Sequence, residues 1–125
     1  MRILLDTHVF LWLTTGDPRL TPKTRAMLDD ARAIFVSAAS IWEISIKVRL
    51  GKLRADPSVL VEEMQANGFV ELPVSALHAK EVVNLPPHHG DPFDRLLVGQ
   101  AIVEQLRLFT ADSHLAAYSE LVVII

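Results

Sequence analysis

The sequence predicts an α/β fold of three layers, with helices on both faces of a central parallel sheet of about five strands. Three observations carry that expectation. Short, mostly apolar runs of three or four residues recur at Ile3–Leu5, Ile34–Val36, Phe69–Leu72, Arg107–Thr110 and Val122–Ile124, too short for helices and suited to inner strands. Longer segments bounded by helix start and stop residues lie between them. The alternation fills 125 residues, a length that fits one domain over residues 1–125. Strands alternating with helices form parallel sheets covered on both faces.

Each element has a local reason. Ile3–Leu5 is the first strand, and Thr7 to Leu13 is a short helix ended by the turn Gly16-Asp17-Pro18. Thr21-Pro22 pairs a capping hydroxyl with proline at the first helical position, which predicts a helix running to about Ala33. After the second strand, Ser37 caps a long helix from about Ala38 to Leu50, and Gly51 ends it. Asp56-Pro57 repeats the start signal, and Gly68 is the stop. Ser75 opens a helix to about Asn84, Pro86-Pro87-His88-His89-Gly90 is a loop, and Asp91-Pro92 opens a helix to about Gln105. A short helix over Ser113–Tyr118 separates the last two strands.

Composition narrows the chemistry. Half of the residues are hydrophobic, enough for a real core, and there is no cysteine. That rules out a disulfide framework, a thiolate zinc site and a cysteine nucleophile, and fits a cytoplasmic protein. No apolar stretch approaches the ~18 residues that span a bilayer, and Asp6 interrupts the opening apolar run before a signal peptide could form. The formal net charge of −3 weighs against nucleic acid as a partner. Against it stands a local strip, Lys47, Arg49, Lys52 and Arg54, with no acid between its members.

In open parallel sheets, ligands bind beyond the carboxyl ends of the strands. Four acids fall near such ends. Asp6 directly follows the first strand, Asp112 lies two residues past the fourth, Asp94 lies in the first turn of the helix before the fourth, and Glu43 lies in the helix after the second. Each has a plain structural alternative. Asp6 and Asp112 can cap helices, Asp94 can favour a helix dipole, and Glu43 can pair with Lys47 four residues on. Asp91 is read as a cap. Two carboxylates ~5 Å apart repel by roughly 3 kcal/mol at an effective dielectric near 20, so a convergent set would raise its pKa values or bind a hard cation. Oxygen ligands favour Mg²⁺ or Mn²⁺. Thr7 and Thr110 could orient a carboxylate or a water.

Four segments match one family in order and spacing: Leu4-Leu5-Asp6-Thr7-His8, then Ser37-Ala38-Ala39-Ser40-Ile41-Trp42-Glu43-Ile44, then Asp91-Pro92-Phe93-Asp94-Arg95-Leu96-Leu97, and Phe109-Thr110-Ala111-Asp112. The chain resembles the PIN-domain nucleases, and within them the VapC-type toxins of toxin–antitoxin pairs. The resemblance implies a PIN-like fold and a Mg²⁺-dependent endoribonuclease, with Mn²⁺ able to substitute. It carries catalytic and metal-binding roles onto Asp6, Glu43, Asp94 and Asp112, with Thr110 and Arg95 in support, beside the Thr7 hydroxyl already singled out. It further implies RNA as substrate, an antitoxin protein as partner and a homodimer. Lys47, Arg49 and Lys52 are the candidate RNA contacts, and the apolar residues Ile41, Trp42, Ile44, Ile46, Val48 and Leu50 mark the helix that a dimer could bury.

Other readings have distinguishable signatures. An aspartyl phosphatase wants a second acid two residues after Asp6, where His8 stands, and a receiver domain wants a late lysine, whereas the last is Lys80. A housekeeping RNA-processing nuclease or a PIN module that binds RNA or protein without catalysis would share the motifs. His88-His89 reads as a solvated or structural turn, and His8 as packing near the first helix. Trp12 and Trp42 read as core residues.

Overall fold

The structure, a computed structural model, describes residues 1–88 and 90–125; His89 and its part in the loop lie outside the described residues. Five strands form one all-parallel sheet: β1 (Arg2–Leu5), β2 (Ala33–Ser37), β3 (Val70–Leu72), β4 (Arg107–Thr110) and β5 (Val122–Ile124), in the spatial order β3-β2-β1-β4-β5. Six α-helices connect them: α1 (Thr7–Thr15), α2 (Pro22–Asp29), α3 (Ala38–Arg49), α4 (Pro57–Ala66), α5 (Ala76–Glu81) and α6 (Pro92–Glu104). Two 3-10 turns, Val82–Asn84 and Ser113–Tyr118, complete the connections.

Side chains alternate across the sheet, so each strand feeds two cores. Ile3, Leu5, Val36 and Phe109 face a core shared with α1, α2, α3 and α4 through Phe10, Leu28, Ile44 and Leu60. Leu4, Leu72 and Leu108 face the other, closed by Leu97, Val98 and Ala101 of α6. The chain adds β2 and β3 on one side of β1 and then crosses to add β4 and β5 on the other. That reversal opens a crevice beyond the carboxyl ends of β1 and β4.

The helix starts follow the caps read from the sequence. Thr21, Ser37, Asp56 and Asp91 each accept from a backbone N–H of the first turn, and Ser75 forms a capping box with His78. Gly51 has a φ of 73°, the left-handed turn that stops α3. The expected second helix is too long. α2 ends at Asp29, because the backbone N–H of Arg32 donates to Met1 O and Ala33 pairs with Arg2 as the first rung of β2. The helix expected to reach Asn84 stops at Glu81 and tightens into a 3-10 turn. Among the described residues, no helix is long and apolar enough to cross a membrane.

Candidate active site

The crevice at the switch between β1 and β4 has a volume of about 260 Å³ and is lined by Asp6, His8, Trp12, Asp94, Ala111 and Asp112. Three of the four acids singled out above therefore meet there. Asp6 is buried and directly follows β1, which is hydrogen-bonded on both flanks and so holds it firmly. Its Oδ1 accepts from His8 N at 2.7 Å, and its Oδ2 accepts from Thr110 Oγ1 at 2.6 Å. Thr110 in turn accepts from the backbone N–H of Asp112 at 3.1 Å. One hydroxyl thus ties the ends of β1 and β4 together and orients both acids. Asp112 caps the following turn, its Oδ1 accepting from His114 N at 3.0 Å. Asp94 sits in the first turn of α6, behind the Asp91 cap.

Glu43 is placed differently. It is buried on α3 and is not part of the crevice lining. Thr7 Oγ1 donates to its Oε1 at 2.8 Å, and Lys47 Nζ donates to its Oε2 at 2.8 Å. Thr7 also lies 3.0 Å from Ser40 Oγ, a buried residue the sequence reading passed over. The signal was available: Ser40 precedes Glu43 by three residues and so shares its helix face. The hydrogen bond to Glu43 raises the Lys47 pKa against the cost of its partial burial, with added support from the charges of Glu43, Asp91 and Asp94. Lys47 is thus engaged by acids rather than offered to RNA, while Arg49 and Lys52 stand exposed.

Other expectations change as well. Arg95 donates to the carbonyls of Pro86, Leu85 and Val82 and to the Tyr118 hydroxyl, so its guanidinium pins the loop ahead of α6 instead of facing a phosphate. His8 is exposed at the crevice mouth, with Nδ1 3.9 Å from Asp6 Oδ1, rather than packed. Trp42 is 61% exposed, because position 42 faces away from the sheet; only Phe93 meets it among described aromatic rings, edge-on at 5.2 Å. It forms a stripe with Ile46 and Leu50 at helical spacing, whereas Ile44 is in the core. Trp12 is half-buried on the crevice rim.

A second, mainly apolar groove of about 470 Å³ runs between α1 and α4 and shares His8 and Trp12 with the crevice. Leu11, Leu53, Val59 and Leu60 line it. At its edge Arg19 lies 4.6 Å over the Trp12 ring and grips Asp17. The side-chain and backbone hydrogen bonds from Arg19 hold the Asp17 carboxyl at about 2, so this clasp persists at neutral pH and is lost only as pH falls through that value.

The acids of the crevice offer carboxylate oxygens, a set suited to a hard divalent cation, and the His8 imidazole stands at its mouth. Among the described residues, no three His, Asp or Glu side chains stand close enough to hold an ion as they are.

A family model described as PIN domain matches residues 3–121. Ribonuclease VapC22 of Mycobacterium tuberculosis is 29% identical over 118 residues, covering 93% of this chain and 91% of that protein. The fold is similar to that in the crystal structure of VapBC2 from Rickettsia felis bound to a DNA fragment from their promoter, with a TM-score of 0.74, 15% identity, and coverage of 100% of this chain and 98% of the other. A toxin–antitoxin complex from Klebsiella pneumoniae gives a TM-score of 0.67 at 18% identity, covering 97% and 95%.

Proposed function

The chain belongs to the PIN-domain family, and we propose that it is a divalent-metal-dependent endoribonuclease, the toxin of a toxin–antitoxin pair, formed as one domain over residues 1–125. The observation that carries the reading is the shared crevice of Asp6, Asp94 and Asp112 at the sheet's switch point. Asp6, Glu43, Asp94 and Asp112 are the acids of the site. The three that line the crevice would hold Mg²⁺, with Mn²⁺ able to substitute, and Glu43 would form its inner support. Such an ion, held by these residues, would lower the pKa of a bound water and offset negative charge on a phosphodiester.

The chain's own residues prepare the place. Thr110 fixes which face of the Asp6 carboxylate is open, since it occupies Oδ2 while the backbone of His8 occupies part of Oδ1. Thr7 orients Glu43 in the same way. Arg49 and Lys52 offer positive charge to an RNA backbone, and Arg95 ties the start of α6, which carries Asp94, to the chain ahead of it. The relatives' descriptions as toxin–antitoxin complexes support an antitoxin partner, and the apolar groove beside the crevice suits a segment of such a protein. A homodimer belongs to the same reading, with the Trp42, Ile46 and Leu50 stripe as the surface to bury. A cytoplasmic location fits an RNA substrate.

Asp6→Asn is the direct test. Asparagine caps helices as well as aspartate does, so the start of α1 survives while the negative charge is lost. Cleavage of RNA in Mg²⁺ should fall by at least a hundredfold while the protein stays folded, its melting temperature lowered only as far as weakening the Thr110 bond requires. Full activity in this variant, or in excess chelator, refutes the mechanism. Growth arrest on induction, relieved by co-expressing a partner, separates a toxin from a housekeeping nuclease.

A further inference from the structure

The described residues that line the crevice divide into two kinds. Asp6, Asp94 and Asp112 are acids, while His8, Trp12 and Ala111 bring two rings and a methyl group. His8 and Trp12 stand four residues apart on α1 and so share one helix face. Their ring centroids are 6.4 Å apart and the planes are tilted by 50°, an open notch rather than a closed stack. The Trp12 ring is held from one side. The Arg19 guanidinium lies 4.6 Å over it, and Asp17 fixes that guanidinium through Nε at 3.0 Å and Nη2 at 2.6 Å. Arg19 lines the apolar groove and not the crevice, so it backs the indole from the groove side. A ring held in this way can stack a ligand at small cost in side-chain entropy.

Single-stranded RNA is held by splaying its bases onto aromatic rings. We propose that His8 and Trp12 form a base subsite beside the acids: a nucleobase next to the scissile phosphate leaves the RNA stack and packs on the crevice side of the Trp12 indole, with His8 at its edge and Arg19 behind the ring. This rests on the reading of the crevice as a ribonuclease site and adds how the substrate is held there. Two features favour a base as the occupant. The aromatic wall is continuous with the acids, so a nucleotide whose phosphate meets them brings its base within reach of the rings. Stacking also gives affinity that needs no charge, which suits a chain whose net charge of −3 opposes the RNA backbone.

Trp12 fluorescence tests the subsite without measuring activity. The chain has two tryptophans, so Trp42→Phe leaves Trp12 as the sole reporter. Combined with Asp6→Asn, it should give a chain that binds RNA in Mg²⁺ without cutting it. Random-sequence single-stranded RNA hexamers should quench the Trp12 signal. An abasic ribose-phosphate hexamer of equal charge should not, and should bind about tenfold more weakly, within the range for one stacked base. That comparison needs no change at Trp12, which also packs against the core, so it is independent of folding. His8→Ala, at a side chain 63% exposed, should weaken binding of the hexamers but not of the abasic chain. Hexamers that bind by anisotropy without quenching Trp12 leave the rings to a protein partner and overturn the inference. Hexamers that fail to bind, an abasic chain that binds as tightly, or an unchanged hexamer affinity in His8→Ala overturn it as well. Cleavage of the hexamers by the Asp6→Asn chain instead brings down the metal-site reading, and the subsite with it.

Discussion

Thr110 Oγ1 links the end of β4 to the acid that follows β1. Its bond to a buried carboxylate is charge-assisted, a class whose loss costs about 1.5–3 kcal/mol. Thr110→Val removes both that bond and the acceptor for the Asp112 N–H. Urea denaturation should show a loss of about 2 kcal/mol, with cleavage reduced because Asp6 is free to turn. Thr110→Ser should recover most of both. Equal behaviour of the two variants would mean that the hydroxyl positions nothing. The caps at Asp6 and Asp112 show why single acids were ambiguous in the sequence. Each does perform its structural alternative, accepting from a backbone N–H two residues on, and still lines the crevice. At Asp6 the cap uses Oδ1 and the Thr110 hydroxyl uses Oδ2, so both structural bonds fix the carboxylate at the crevice wall.

At the scale of elements, α5 and α6 meet unusually closely. A side-chain carbon at Gly99 would come 3.1 Å from the carbonyl oxygen of His78, a backbone atom that has little freedom to withdraw. His78 is buried, accepts from Ser75 N through Nδ1 and lies 3.1 Å from Glu104 Oε1 through Nε2, so α5 is clamped at that point. Gly99→Val should therefore lower stability by about 1–3 kcal/mol, read from the urea midpoint, the range for overpacking a filled contact. A wild-type midpoint would show that α5 moves aside. Cap residues made the starts of these helices readable, because a cap acts within a few residues of itself. Their ends were less so. α2 stops where β2 needs its first rung, and that rung pairs with β1, over thirty residues away.

For the whole molecule, net charge and local charge pull in opposite directions. A chain of −3 repels RNA at long range, so binding depends on the few exposed cations near the site. Replacing Arg49 and Lys52 with alanine should weaken RNA binding and reduce the slope of log affinity against log salt by about 1.4, two phosphate contacts on a single strand. An unchanged slope would place the RNA elsewhere. Lys47 is left out of that variant because its charge is spent on Glu43. The alternation of strands and helices, the caps and the four acids were legible in the residues alone, because periodicity and capping are local interactions written within a turn or a strand. The grouping of those acids was not. Asp6 and Thr110 are bonded across 104 positions, Glu43 sits on α3 outside the crevice lining and is held there by Thr7 and Lys47, and Trp42 is turned outward on a helix whose other face fills the core. Such pairings depend on the order in which strands enter the sheet, and that order is settled only when distant segments compete to bury the same apolar faces.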